Sequence, residues 1–132
     1  MLPLLESDLL TVLEACVEGR LDSVDINWKL HHSAATVVAA SKGYPGSYQS
    51  GFAITGLEKV VGPVVFHAGT KTDNGKTLTS GGRVLAVTSV GTTLEKALEQ
   101  SYKALQDIHF DGIYYRKDIG HKALKAGTLV KQ

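Results

Sequence analysis

Val84-Leu85-Ala86-Val87-Thr88-Ser89-Val90-Gly91 is an almost unbroken apolar run, and Thr92-Thr93-Leu94-Glu95 follows it at once. A short run with apolar residues at both parities fits a central strand covered on both faces, and Gly91 ends it. Thr92 and Glu95 stand in capping-box spacing, and Leu94, Leu98, Ser101, Tyr102, Leu105 and Ile108 then keep helical period to His109. One buried strand delivering the chain into one long amphipathic helix is the organising unit. The rest of the sequence is arranged around it.

Upstream, Val64 to Thr70 reads as a strand, and Asp73-Asn74-Gly75 carries residues that tolerate positive φ in a tight hairpin, so Thr77 to Thr79 should return antiparallel. Phe52 to Thr55 reads as a short strand. Ile26 to Leu30 and Ala34 to Ala40 are β-leaning, the second rich enough in Ala and Val to be buried on both faces. Gly43-Tyr44-Pro45-Gly46 breaks it with turn chemistry. Near the N-terminus, Ser7 or Asp8 is placed to cap a helix with Leu9, Leu10, Leu13, Cys16 and Val17 on one stripe, closed by Gly19. Tyr114 to Asp118 is a short extended piece, and the tail after Ala123 carries no strong signal. Hairpin-linked strands with helices at the ends of the run predict an α+β fold with a mainly antiparallel sheet.

Composition narrows the function classes. The chain has 132 residues, 43% of them hydrophobic, enough for one core. The formal net charge is +1 and no basic field is available to neutralise a run of phosphates, which argues against nucleic acid as a partner. The single cysteine, Cys16, falls in the apolar helical pattern and reads as a small buried thiol, and a lone cysteine builds no disulfide framework. No apolar run reaches the length of a membrane span, and Met1-Leu2-Pro3 lacks the layout of a signal peptide, so the expectation is a cytoplasmic protein.

Thr70-Lys71-Thr72-Asp73-Asn74-Gly75-Lys76-Thr77 ends like a phosphate-binding P-loop, but the motif needs its first glycine at Thr70, and Gly69 is one residue too early. The P-loop also needs a helix directly after Gly-Lys-Thr, where this chain has Leu78-Thr79-Ser80-Gly81-Gly82. A hairpin is the better reading. The five histidines do not assemble a metal set: His31 and His32 are adjacent, and His67, His109 and His121 lack neighbours at ligand spacing. No Gly-x-Ser-x-Gly offers a nucleophile elbow. Ser80-Gly81-Gly82-Arg83 differs, because two glycines leave amides unshielded beside a guanidinium able to grip phosphate through paired charge-assisted hydrogen bonds. A plain glycine hairpin with a solvated arginine remains the alternative.

Leu2-Pro3-Leu4-Leu5-Glu6-Ser7-Asp8-Leu9, Ala40-Ser41-Lys42-Gly43-Tyr44-Pro45-Gly46, Val65-Phe66-His67-Ala68-Gly69-Thr70, Ser80-Gly81-Gly82-Arg83-Val84-Leu85 and Phe110-Asp111-Gly112-Ile113-Tyr114-Tyr115-Arg116-Lys117-Asp118-Ile119-Gly120 stand in order along the chain. Together these segments resemble the C-terminal region of phosphoribosylamine-glycine ligase, also called glycinamide ribonucleotide synthetase. The resemblance implies the small curled antiparallel sheet of ATP-grasp ligases, with residues 1–30 as helix and linker from the end of the ATP-grasp domain and residues 31–132 as the C-terminal α+β domain. It implies an ATP- and magnesium-dependent ligase of purine synthesis that activates glycine as an acyl phosphate for attack by the amine of 5-phosphoribosylamine. In that family ATP and magnesium are held by residues upstream of this segment, so the resemblance places no catalytic residue and no metal here and leaves the isolated chain inert. Its partners would be glycine, 5-phosphoribosylamine and the missing N-terminal and ATP-grasp domains. By position, Arg83 with Gly82 and Gly81 would bind the substrate phosphate, and His67 and Thr70 are candidates to line the same pocket. Tyr44 and Tyr114 read as core or interface aromatics. The other reading is a non-enzymatic phosphate-sugar-binding or interaction module derived from such a ligase.

Overall fold

The computed structural model describes residues 1–129. In chain order the elements are α1 (Leu9–Val17), β1 (Ser33–Ser41), β2 (Val64–His67), β3 (Thr70–Asp73), β4 (Lys76–Thr79), β5 (Arg83–Gly91), α2 (Leu94–Asp107), β6 (Ile113–Tyr114) and α3 (His121–Leu129). Short 3-10 turns lie at Leu2–Leu4, Leu21–Ser23 and Leu57–Lys59. The architecture is α+β. Its four-stranded sheet has the order β2-β5-β1-β6 with antiparallel neighbours, beside a two-stranded β3-β4 hairpin.

The unit expected from the apolar run is the centre of the molecule. β5 is an interior strand, and α2 packs across β1 and β5. Register decides which residues meet the helix: Ala35 pairs with Ser89, Val37 with Val87 and Ala39 with Leu85, so these residues share one face. On that face Val37, Ala39, Leu85 and Val87 pack with Ala104, Leu105, Ile108 and Phe110 in one core cluster. Ser101, fully buried on α2, donates its hydroxyl to the Ala35 carbonyl at 3.1 Å and shares a 2.9 Å hydrogen bond with the Ser89 hydroxyl. A buried hydroxyl left unpaired would be costly, so this serine fixes how the helix sits on the sheet.

The other face is open. Thr36, Val38, Val64, Phe66 and Tyr114 are exposed there, and Thr36 and Thr88 join hydroxyls across the strands at 2.8 Å. β1 is therefore buried on one face, not on both as its Ala and Val content suggested. Composition reports how apolar a strand is, and only the layers around it decide whether both faces are covered.

Other boundaries moved for local reasons. Thr93, not Thr92, caps α2, accepting from the Lys96 amide at 3.2 Å. The helix stops at Asp107 because Ile108 turns extended and His109 exchanges backbone hydrogen bonds with Thr55. Phe52 to Thr55 contributes only isolated bridges, Ala53 to Leu78 and Thr55 to His109, and Trp28 likewise bridges to Leu5 instead of extending a strand from Ile26 to Leu30. The long strand expected from Val64 to Thr70 is broken at Ala68-Gly69 into β2 and β3. Asn74 (φ 47°) and Gly75 (φ 74°) form the expected β3-β4 turn, so the P-loop-like stretch is a hairpin.

Asp8 caps α1 by accepting from the Thr11 amide at 2.8 Å. The helix touches the Leu21–Ser23 turn, and Ala15 is its only buried residue. Cys16 is accordingly exposed, contrary to the buried thiol expected from the apolar stripe. The stripe is real, but nothing among the described residues covers it. The tail after Ala123 continues α3 to Leu129, while residues 130–132, included in the expected C-terminal domain, lie outside the described residues.

Candidate functional site

The site is built around a change of register. Ala39 pairs with Leu85, but Ala40 pairs with Arg83, so Val84 is an extra residue on β5. Strict alternation would have put Arg83 on the same face as Leu85, under α2. The bulge turns it the other way, onto the open face with Val38 and Ala86, while the Val84 side chain is fully buried. Among the described residues the Arg83 guanidinium makes no hydrogen bond or ion pair, and the residue is exposed.

The glycines around Arg83 have a packing explanation. A Cβ on Gly69 would meet the Arg83 carbonyl oxygen at 2.6 Å and the Gly81 Cα at 2.7 Å, so two backbones cross here in contact. A Cβ on Gly82 would clash with Tyr44 Cδ2, because the tyrosine ring lies directly on this glycine. Neither Gly81 nor Gly82 has positive φ. Their carbonyls accept from Ser41, Gly81 from the hydroxyl at 2.9 Å and Gly82 from the amide at 2.8 Å, tying the turn to the end of β1.

Two adjoining clefts share Val38, Tyr44 and Arg83. One, about 530 Å³, adds Ala68, Gly69 and Gly82; the other, about 240 Å³, adds Thr36, Ala40, Tyr114, Tyr115, Arg116 and Ile119. Tyr44 and Tyr114 are thus half-exposed cleft walls, not core aromatics. His67 and Thr70 are placed differently. His67 pairs with Leu85, on the parity that faces α2, and its Nδ1 bonds the Thr70 hydroxyl at 3.0 Å, so the two brace the Ala68-Gly69 corner behind the Arg83 clefts.

A further cleft of about 600 Å³ lies between the Lys42–Gln49 loop and Asp111-Gly112. It presents Lys42 and Asp111 together, and a carboxylate on the wall opposes an anionic ligand. The Arg83 clefts are lined by Arg83 and Arg116 without a carboxylate. Arg116 is held by Asp118 through Nε at 2.8 Å and Nη2 at 2.6 Å. That hydrogen-bonded charge pair keeps the Asp118 carboxyl below its ordinary range and Arg116 above its own. Sequence reasoning did not single out this pair. Its only signal was that Arg116 and Asp118 sit two apart in a segment already matched to the family.

Among the described residues no group of three His, Cys, Asp or Glu side chains is placed to hold a metal, and no helix is long and apolar enough to cross a membrane.

Residues 34–122 match the family model described as phosphoribosylglycinamide synthetase, C domain. The chain belongs to that family. The C-domain match covers the sheet, α2 and the whole Arg83 site, and leaves α1 outside. Over its full length the chain is 52% identical to the bifunctional purine biosynthetic protein purD of Dictyostelium discoideum, of which it covers 17%. It is 48% identical to the phosphoribosylamine-glycine ligase of Caldanaerobacter subterraneus subsp. tengcongensis, over 90% of this chain and 28% of that protein. The crystal structure of phosphoribosylamine-glycine ligase from Thermotoga maritima shares the C-domain fold, with a TM-score of 0.60 and 39% identity over 64% of this chain and 21% of that one. The chain spans less than a third of the length of each of these relatives.

Proposed function

We propose that this chain is the C-terminal, substrate-phosphate-binding part of an ATP-dependent ligase that joins glycine to 5-phosphoribosylamine in de novo purine biosynthesis, a cytoplasmic reaction in this reading. One observation carries it: a bulge at Val84 turns Arg83, whose guanidinium lacks any described partner, onto the open face between two clefts without a lining carboxylate. A guanidinium offers paired donors in the geometry of a phosphate. Gly82 and Gly81 let Tyr44 and the Ala68-Gly69 corner close on that arginine, and His67 and Thr70 brace the corner.

In the proposed reaction the ATP γ-phosphoryl passes to the glycine carboxylate and ADP leaves; the ribosylamine nitrogen then attacks the acyl carbon and phosphate departs. ATP and magnesium belong to the preceding domains in this scheme. The share of this chain is to hold the sugar phosphate so that the amine is presented, a positioning contribution that needs cations and not a nucleophile. The isolated chain should accordingly be inert.

Residues 1–30 we assign to the preceding ATP-grasp domain. Leu10 (64% exposed), Leu13 (53%) and Val17 (89%) of α1 are open to solvent, and the C-domain match begins only at residue 34. Apolar surface of that kind is a packing surface for another part of a protein. It favours a ligase segment over a free-standing phosphate-sugar-binding module.

The test is glycine- and phosphoribosylamine-dependent ADP release by a full-length ligase containing this segment. Arg83→Ala should lower kcat/KM for phosphoribosylamine by roughly ten- to a hundredfold, the worth of a hydrogen bond to a charged group, with KM for ATP unchanged. An unaltered kcat/KM would remove Arg83 from the reaction.

A further inference from the structure

We infer that Arg116 is a second cation of the same cleft, aimed by Asp118, so that the substrate phosphate is gripped from two sides by guanidinia on different elements. The inference rests on the reading of Arg83 given above. In the sheet order β5-β1-β6, Arg83 opens the strand on one side of β1 and Arg116 follows the strand on the other. Thr36, Val38 and Ala40 of β1 lie between them in the cleft of about 240 Å³ that both arginines line. Neighbouring strands are about 4.8 Å apart, so two long side chains leaning inward span the gap above β1.

The hydrogen bonding of Arg116 suits this role. Asp118 takes Nε and Nη2, which leaves Nη1 and the second Nη2 hydrogen to donate elsewhere. The backbone around the pair is also fixed: the Tyr102 hydroxyl donates to the Arg116 carbonyl at 2.8 Å and accepts from the Ile119 amide at 3.2 Å. Both charged side chains are mostly exposed, 64% for Arg116 and 59% for Asp118, and ion pairs at such exposure contribute little to stability. A two-point clasp that does little for the fold, beside an arginine with no partner among the described residues, serves to hold a cation in one orientation.

The test is a titration of the 132-residue chain with ribose 5-phosphate, and with ribose as control, followed by NMR shifts of backbone and arginine side-chain N–H groups at two salt concentrations. Arg116→Gln should weaken ribose 5-phosphate binding about tenfold and reduce its salt dependence, leaving the melting temperature within about 2 °C. Arg116→Lys should recover part of the affinity, and Asp118→Asn should lose less than Arg116→Gln because the charge remains. Wild-type affinity in Arg116→Gln combined with lost binding in Arg83→Gln would overturn the second cation and leave Arg83 standing. Wild-type affinity in both variants, or no phosphate-dependent shifts in the unmodified chain, would overturn both. A lower melting temperature with unchanged affinity would reduce the pair to a structural contact.

Discussion

Ala40 stands opposite Arg83 in the β1-β5 ladder although its neighbour Ala39 stands opposite Leu85. The spare residue, Val84, is fully buried, so the bulge is packed in place instead of being a frayed end. One inserted residue separates a cation buried under a helix from a cation facing a cleft.

The Gly82–Tyr44 contact gives the first prediction. Gly82→Ala drives a methyl into Tyr44 Cδ2, so the ring must leave the wall that both Arg83 clefts share. The variant should lose about 1–3 kcal/mol in denaturant unfolding and bind ribose 5-phosphate more weakly. A stable variant with unchanged affinity would show that Tyr44 does not shape the site.

Helix capping discriminates between adjacent threonines. Thr93→Ala removes the side chain that accepts from the Lys96 amide and should cost about 1 kcal/mol, whereas Thr92→Ala should change stability by less than about 0.5 kcal/mol. Equal effects would contradict the assignment of the cap.

Two leucines on different helices should behave oppositely. Leu105 is 1% exposed in the α2-sheet core, and Leu105→Ala should cost about 2–5 kcal/mol in this chain. Leu13, 53% exposed on α1, should tolerate Leu13→Glu in this chain yet destabilise a full-length ligase, read by thermal unfolding of both. Leu13→Glu without effect on the full-length protein would count against assigning residues 1–30 to the preceding domain.

Acid should loosen the structure locally through two carboxylates. Asp8 is held below the ordinary carboxylate range by hydrogen bonds from the Thr11 amide and hydroxyl, and Asp118 by its hydrogen bonds with Arg116. Because each folded value is depressed, its stabilisation is complete above the unfolded value and is lost as pH falls through the lowered folded one. Both groups lie at the surface, so the effect should be local: fraying of α1 and release of Arg116 as pH falls through the lowered values, followed by carboxyl and arginine N–H shifts. Titration of both at ordinary carboxylate values would contradict the two contacts.

Much of the fold was legible because its signals were redundant. Of the residues in helical period, Leu98, Ser101, Leu105 and Ile108 are buried and Leu94 and Tyr102 half-buried, and Asp73-Asn74-Gly75 turned as its residue types demand. The face taken by Arg83 was not legible. Val84, Ala86 and Thr88 are about as apolar as Leu85, Val87 and Ser89, so alternation on β5 says nothing about parity, and a bulge leaves no mark in such a run. Cys16 misled for a related reason: an amphipathic stripe states that a helix wants a partner and not where the partner is. The Arg116–Asp118 clasp was hidden because its meaning depends on Arg83 arriving from two strands away.

The central claim is that Arg83 holds a sugar phosphate on the open face of the sheet, and a crystal structure of a full-length ligase carrying this segment, with ribose 5-phosphate bound, tests it most directly. The account predicts phosphate oxygens about 2.7–2.9 Å from the Arg83 guanidinium, above Val38 and beside Tyr44. A phosphate seated instead between Lys42 and Asp111, or on the preceding domains with Arg83 left in solvent, would contradict it.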